Sequence, residues 1–326
     1  MINKMRAERR EQVEKIERLK RRKNAIILAH NYQRPEVQDI AEFVGDSLEL
    51  ARKAVATTAE IIIFCGVDFM AETAAVLNPE KKVVLPDKGA VCPMAQQLPP
   101  AVLAAAKREH PDAAVVLYVN TLAESKALAD CICTSANAQE IVRAVAKAKD
   151  ASTILFGPDR NLAYHAQKAT AAKIIPVPEY GLCPSHHQIV LQDLERAKAE
   201  HPRAKVVVHP ECIPEVQDRT DFIASTSGMV KICRQQQAGE EVEGSAVAGD
   251  EFLIGTEVGL LHRLEKEAPG KRFYPLSATA VCPQMKMHTL EKIEAALESE
   301  EPVVVVERGV AEKARRAIER MLEILG

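Results

Sequence analysis

Glu109-His110-Pro111-Asp112-Ala113-Ala114-Val115-Val116-Leu117-Tyr118 is answered 91 residues later by Glu200-His201-Pro202-Arg203-Ala204-Lys205-Val206-Val207-Val208. In both places a charged stretch meets a proline and then enters a short, β-branched apolar run. A short continuous apolar run is the signature of a strand buried on both faces. Further runs stand at Ile26-Ile27-Leu28, Ile61-Ile62-Ile63-Phe64, Ile154-Leu155-Phe156 and Phe252-Leu253-Ile254, with Ala-rich, helix-length stretches between them. That alternation predicts parallel β-α-β units, with right-handed crossovers placing helices on both sheet faces.

The unit occurs three times. A strand ending in Gly and followed two residues later by an acid appears as Gly66-Val67-Asp68, Gly157-Pro158-Asp159 and Gly255-Thr256-Glu257. Each is followed by a helix, another strand and a Cys-Pro pair, at Gly-to-Cys distances of 26, 26 and 27 residues. The chain therefore divides at about 1–108, 109–199 and 200–326. Val303-Val304-Val305-Val306 reads as one more strand and 310–325 as a helix, which either extend the third unit or return to the first. If the units face one another about a pseudo-threefold axis, the carboxyl ends of their strands converge on one cavity, where ligands of open parallel sheets bind.

Composition narrows the function. The chain has 326 residues, 47% hydrophobic and 27% charged, with a formal net charge of −3. These values suit a globular protein and give no reason to expect a nucleic-acid partner. Lys4 to Lys23 is the one basic stretch; its periodic Val13, Ile16 and Leu19 suggest an amphipathic helix, a capping helix or else a binding arm. No run approaches a membrane span, and the charged N-terminus lacks a secretory apolar core, so a cytoplasmic location is expected. Eight cysteines in that setting are packing residues, nucleophiles or metal ligands.

Cys92, Cys183 and Cys282 occupy one repeated position, in loops at strand ends. They are either ligands of a soft metal or cluster, or packing residues kept from duplication. Cys65, Cys131, Cys133 and Cys233 read as core, and Cys212 is open. Strand ends also carry His30-Asn31-Tyr32, Tyr118-Val119-Asn120 and His209-Pro210-Glu211. The imidazole and carboxylate of the last are suited to acid–base work, or to a hydrogen-bonded loop. Ser47, Ser135 and Thr226 precede helices, as N-caps or as grips for carboxylate or phosphate. His186-His187 is a site pair or a solvated loop. Loops 86–93 and 178–187 are candidate lids. No GxGxxG or GxxxxGK[ST] is present, which argues against dinucleotide or P-loop binding.

Taken in order, His30-Asn31-Tyr32-Gln33, Gly45-Asp46-Ser47-Leu48, Ala90-Val91-Cys92-Pro93-Met94-Ala95, Tyr118-Val119-Asn120-Thr121 and Thr134-Ser135-Ala136-Asn137 form the first half of a specific pattern. Gly157-Pro158-Asp159, His209-Pro210-Glu211-Cys212, Ser225-Thr226-Ser227-Gly228-Met229 and Cys282-Pro283-Gln284-Met285-Lys286 complete it. In this the chain resembles the A-type quinolinate synthase family of de novo NAD biosynthesis, over essentially its whole length. The resemblance implies three Rossmann-like α/β domains around a central active site and a [4Fe–4S] cluster on Cys92, Cys183 and Cys282, with one iron left open as a Lewis acid. It implies condensation of iminosuccinate (iminoaspartate) with dihydroxyacetone phosphate to quinolinate, phosphate and water. Substrate-binding positions map to His30, Ser47, Tyr118, Asn120, Ser135, His209, Glu211 and Thr226, with Glu211, His209 and Tyr118 as the catalytic set. An L-aspartate oxidase or dehydrogenase that supplies iminosuccinate is the implied functional partner. Some members carry further cysteines just before the third ligand; Leu276 to Val281 contain none, so no thiol switch is expected there.

The rival readings are a zinc or thiol hydrolase using Cys and His-Glu, and an iron–sulfur sensor built on the threefold repeat.

Overall fold

The computed structural model describes residues 2–235 and 251–325, with the side chains of the N-terminal helix from residue 8 onward. The described strands form three four-stranded sheets. The first holds β1 (Ala25–His30), β2 (Phe43–Gly45), β3 (Ile61–Cys65) and β4 (Lys82–Val84). The second holds β5 (Ala114–Tyr118), β6 (Cys131–Cys133), β7 (Thr153–Gly157) and β8 (Lys173–Pro176). The third holds β9 (Lys205–Val208), β10 (Phe222–Ile223), β11 (Glu251–Gly255) and β12 (Arg272–Pro275). Spatial order is second-first-third-fourth every time, and all ladders are parallel. The repeat in the sequence is thus a repeat of topology.

The Glu-His-Pro breaks act alike. Helices Pro100–Glu109 and Leu191–Glu200 end at His110 and His201, which share a φ of −130° and ψ of 69° and 67°. The following prolines disfavour helical backbone at the histidines and turn the chain into the next strand.

Apolar residues alternate across each sheet, as the two-residue period of a strand requires. Leu28, Ile62 and Phe64 pack on Leu50, Ala54 and Ala74, whereas Ile27, Ala29 and Ile63 pack on Ile16, Leu19, Ile293 and Leu297. Val206, Val208 and Leu253 likewise face Leu194 and Ala197, opposite Val207, Phe252 and Ile254. Each valine, leucine, isoleucine or phenylalanine so buried contributes about 1.5–3 kcal/mol. The apolar stripe of the N-terminal helix is therefore spent on packing: Ile16 and Leu19 are buried against the helix Leu290–Ser299, and Lys15 pairs with Glu298 at 2.7 Å.

The expected strand at Val303–Val306 is corrected. Only an isolated antiparallel bridge forms, Val303 with Val84, flanked by Val304 N–H to Val83 O at 2.8 Å. Pro302 has no N–H to give, β4 is three residues long, and Val305 is 83% exposed, so nothing extends the ladder. The segment lies at the first sheet's edge. The helix Arg308–Leu325 then packs against β6 and the helix Asp68–Leu77, with its Arg315 Nε on Val76 O at 2.9 Å. No helix among the described residues is long and apolar enough to cross a membrane.

Gly157, the middle of the three repeated glycines, closes its strand under the tightest contact. A Cβ there would lie 2.0 Å from the Val177 carbonyl oxygen. Gly157→Ala is expected to lower stability by at least about 3 kcal/mol, read as a fall in the urea midpoint at constant m-value.

Candidate functional site

Loops beyond the strand ends of all three sheets line one cavity. It is bounded by His30, Ser47, Tyr118, Asn120, Ser135, His209, Glu211, Thr226, Cys92, Cys183 and Cys282, so the eight expected substrate-binding positions and the three repeated cysteines line the same space. Tyr32, Thr134, Ser185 and His186 join them, with Met70, Met94 and Met285 among the apolar walls.

The strand-end triplets are built alike. The Tyr32 backbone N–H donates to His30 Nδ1 at 3.2 Å, and the Glu211 N–H to His209 Nδ1 at 3.3 Å. With Nδ1 accepting, the neutral ring carries its proton on Nε2. Burial lowers both imidazoles to about 3, so at pH 7 each is a neutral donor rather than a cation.

Glu211 is the buried hub. Its Oε1 accepts from Tyr118 Oη at 2.7 Å and its Oε2 from His186 Nδ1 at 2.8 Å. Burial opposes its ionisation, but His186 and His209 beside it and the hydrogen bonds from His186 and Tyr118 hold it below the ordinary carboxylate range. Tyr118 moves the other way: burial and the neighbouring carboxylate raise it well above the usual phenol value. On its far side, His186 Nε2 lies 2.8 Å from Thr256 Oγ1, which lies 2.6 Å from Tyr32 Oη. The His186 ring stacks on His209 at 4.7 Å. A hydrogen-bonded chain thus runs Tyr118–Glu211–His186–Thr256–Tyr32 across the three units.

The hydroxyl residues are not N-caps. Asp46 caps the helix Ser47–Ala56 in a capping box with Glu49, Asn137 precedes the helix Ala138–Lys149, and Ser225 Oγ accepts from Gly228 N at the helix Thr226–Gln235. Asp46 and Ser225 cap in place of Ser47 and Thr226, which stand first in their helices where backbone dipoles favour anions, whereas Ser135 lies in the turn three residues before its helix. Thr226 Oγ1 accepts from Asn31 Nδ2 at 2.7 Å, so its own proton is available to the cavity.

Cysteines separate into two groups. Cys65, Cys131, Cys133, Cys212 and Cys233 are fully buried, whereas Cys92, Cys183 and Cys282 are partly exposed, and none of the eight is in a disulfide. Cys212 Sγ bonds Gly255 O at 3.3 Å and is a packing residue. Burial raises the thiols of Cys92 and Cys183; Cys92 is raised further by Asp68 and Cys282, and Cys183 by Glu211, Cys92 and Cys282. Their loops are pinned by the repeated acids. Asp68 Oδ1 accepts from Cys92 N at 2.9 Å, Asp159 Oδ2 from Cys183 N at 2.9 Å, and Glu257 Oε1 from Cys282 N at 3.1 Å. Three unpaired thiols on pinned loops at one cavity form a soft donor set that fits an iron–sulfur cluster. A second donor set overlaps it: Cys183 Sγ, His186 Nδ1 and Glu211 Oε2 lie within 4.8 Å of one another, a combination that also suits a single zinc ion.

Several residues here escaped the sequence reading. Tyr32 stands third in its triplet, as Asn120 and Glu211 do in theirs, so the repeat would have singled it out. His186 and His187 were indistinguishable until the short helix Pro184–His187 turned the first inward and the second out to solvent. The acids were visible as a repeat, but their hydrogen bonds to cysteine loops 24 or 25 residues away were not.

Comparison with known proteins agrees with this geometry. The family model described as Quinolinate synthetase A protein matches residues 14–323. The chain is 51% identical over 317 residues to a quinolinate synthase of Methanocaldococcus jannaschii, covering 96% of this chain and 98% of that one. It is 52% identical over 312 residues to that of Pyrococcus abyssi (96% and 99% covered) and 51% identical over 313 residues to that of Thermodesulfovibrio yellowstonii (96% and 98% covered). A threefold α/β repeat, a cavity shared by its units and relatives of equal length at half identity lead to one assignment: this chain is an enzyme belonging to the quinolinate synthetase A family.

Proposed function

We propose that the cavity condenses iminosuccinate with dihydroxyacetone phosphate, releasing quinolinate, one phosphate and two waters. The observation that carries this reading is the convergence of three free, partly exposed thiols and a buried Glu–His–Tyr network on one cavity. The three equivalent units are taken to divide near residues 108 and 199. A [4Fe–4S] cluster held by Cys92, Cys183 and Cys282 would supply Lewis acidity, since the balanced reaction needs no net electron transfer.

The protein's own groups account for the rest. Both substrates are anionic; Ser47 and Thr226 begin two helices whose dipoles attract carboxylate or phosphate, and Ser135 offers its hydroxyl from the turn before a third. His30 and His209, neutral with Nε2–H free, donate hydrogen bonds to substrate oxygens without adding charge. Glu211 and Tyr118 share a proton path, and Asn120 on the adjoining loop orients the triose. Enolisation of the triose, loss of its phosphate and the later dehydration each require a proton to move, which these groups can relay. A cytoplasmic enzyme fed by an L-aspartate oxidase or dehydrogenase completes the reading.

The zinc reading has the overlapping Cys183–His186–Glu211 donor set in its favour. Anaerobically prepared protein is expected to contain iron and acid-labile sulfide, and to form quinolinate from oxaloacetate, ammonia and dihydroxyacetone phosphate. Zinc without sulfide, and no quinolinate, would refute the proposal.

A further inference from the structure

Eight residues after His30, Tyr118 and His209, the same position in each unit, stand Gln38, Lys126 and Gln217. All three are buried, and each side-chain nitrogen gathers acceptors from two different units. Gln38 Nε2 donates to Asn31 O at 3.2 Å and Gln33 O at 2.9 Å in its own unit, and to Gly259 O at 2.9 Å in the third. Gln217 Nε2 donates to Pro210 O at 2.8 Å and Cys212 O at 2.7 Å, and to Asn161 O of the second unit at 3.1 Å. Lys126 Nζ donates to Thr121 O of its own unit, and to Thr73 Oγ1 at 3.0 Å and Phe69 O at 3.5 Å in the first.

The near-side acceptors flank or adjoin cavity residues: Asn31 and Gln33 bracket Tyr32, Pro210 and Cys212 bracket Glu211, and Thr121 follows Asn120. Of the far-side acceptors, Gly259, Asn161 and Phe69 lie one or two residues beyond Glu257, Asp159 and Asp68, the acids that hold the cysteine loops. The closer Lys126 acceptor, Thr73 Oγ1, lies one helical turn further on and itself donates to Phe69 O. The links run from the first unit to the third, the third to the second and the second to the first, closing a ring. Oε1 of both Gln38 and Gln217 has no hydrogen-bond partner, so each amide serves through its nitrogen alone, as the lysine does.

We propose that Gln38, Lys126 and Gln217 are one positioning device, each fixing a cavity-lining loop against the neighbouring unit's cysteine arm. The inference deepens the proposed function and rests on it. Lys126 acts in it as a hydrogen-bond donor, neither as a required cation nor as a proton-transfer group.

The test replaces Lys126 with the amide that serves at the other two positions. Lys126→Gln, reconstituted without oxygen, is expected to keep wild-type iron and sulfide per chain, with kcat and KM within about threefold. Lys126→Met, which cannot donate, is expected to lose about 10- to 100-fold in kcat per bound iron with a smaller change in KM, as misplacement of a reacting group does. The melting curve of the metal-free chain separates this from unfolding, and if Lys126→Met does not fold, Lys126→Gln decides alone. A tenfold or greater loss in Lys126→Gln would overturn the proposal, because the positive charge would then be what matters. Wild-type kcat per iron in Lys126→Met would overturn it as well. Wild-type protein without iron and sulfide would instead refute the proposed function, and this inference with it.

Discussion

Cys183→Ala, purified and reconstituted without oxygen, is expected to lose most of its iron and sulfide and the visible charge-transfer absorption of the wild type. Cys212→Ala is expected to keep all three. The contrast follows from position. Cys183 is partly exposed on a loop pinned by Asp159, while Cys212 is fully buried with its thiol on a backbone carbonyl. Removing one of three thiolates leaves two, too few to hold a cluster against water and chelators. The fold should persist, because the Cys183 side chain faces the cavity and the Asp159 bond is to its backbone N–H, which alanine retains. The check is iron and sulfide per chain beside a far-ultraviolet melting curve. Wild-type iron in Cys183→Ala would remove it from the ligand set.

Glu211→Gln is expected to lose about 10²–10⁴ in kcat while its iron content stays at the wild-type level. The amide has nearly the shape of the carboxylate but cannot accept a proton. It also places an NH₂ where one of two donors, Tyr118 Oη at 2.7 Å or His186 Nδ1 at 2.8 Å, now finds an oxygen. One of those two groups must turn away or reverse its role to accept, which disturbs the chain that ends at Tyr32. Iron retention is what separates this result from the Cys183 variant, since the zinc-like reading makes Glu211 a ligand whose loss empties the site. Full activity in Glu211→Gln would end its role as the proton-handling group.

How much was legible beforehand varies by residue. Cys92, Cys183 and Cys282 were separable from the other five because the Gly-acid-Cys spacing repeats, and the same spacing located the acids. The strand-end triplets were legible for a similar reason, since a strand that ends on time puts its next residues at the mouth of the sheet. Val303–Val306 misled because four consecutive valines carry strand propensity wherever they occur, whereas a ladder needs a partner edge with groups left to pair. Gln38, Lys126 and Gln217 stayed hidden because an amide and an ammonium look unrelated as sequence and become equivalent only as donors to the same three-way gap.

The division has a physical basis. Strand, helix and turn arise from interactions between residues a few positions apart, and a duplicated unit repeats them at a constant interval. A single chain therefore sufficed to determine the three α/β units, their sequence of elements and the equivalence of three cysteines. Whether separate sheets point their ends at one another depends on contacts between units, which carry no period along the chain. Tertiary structure alone decided that Glu211 sits between Tyr118 and His186, that each acid holds its cysteine loop, and that three buried nitrogens close the ring.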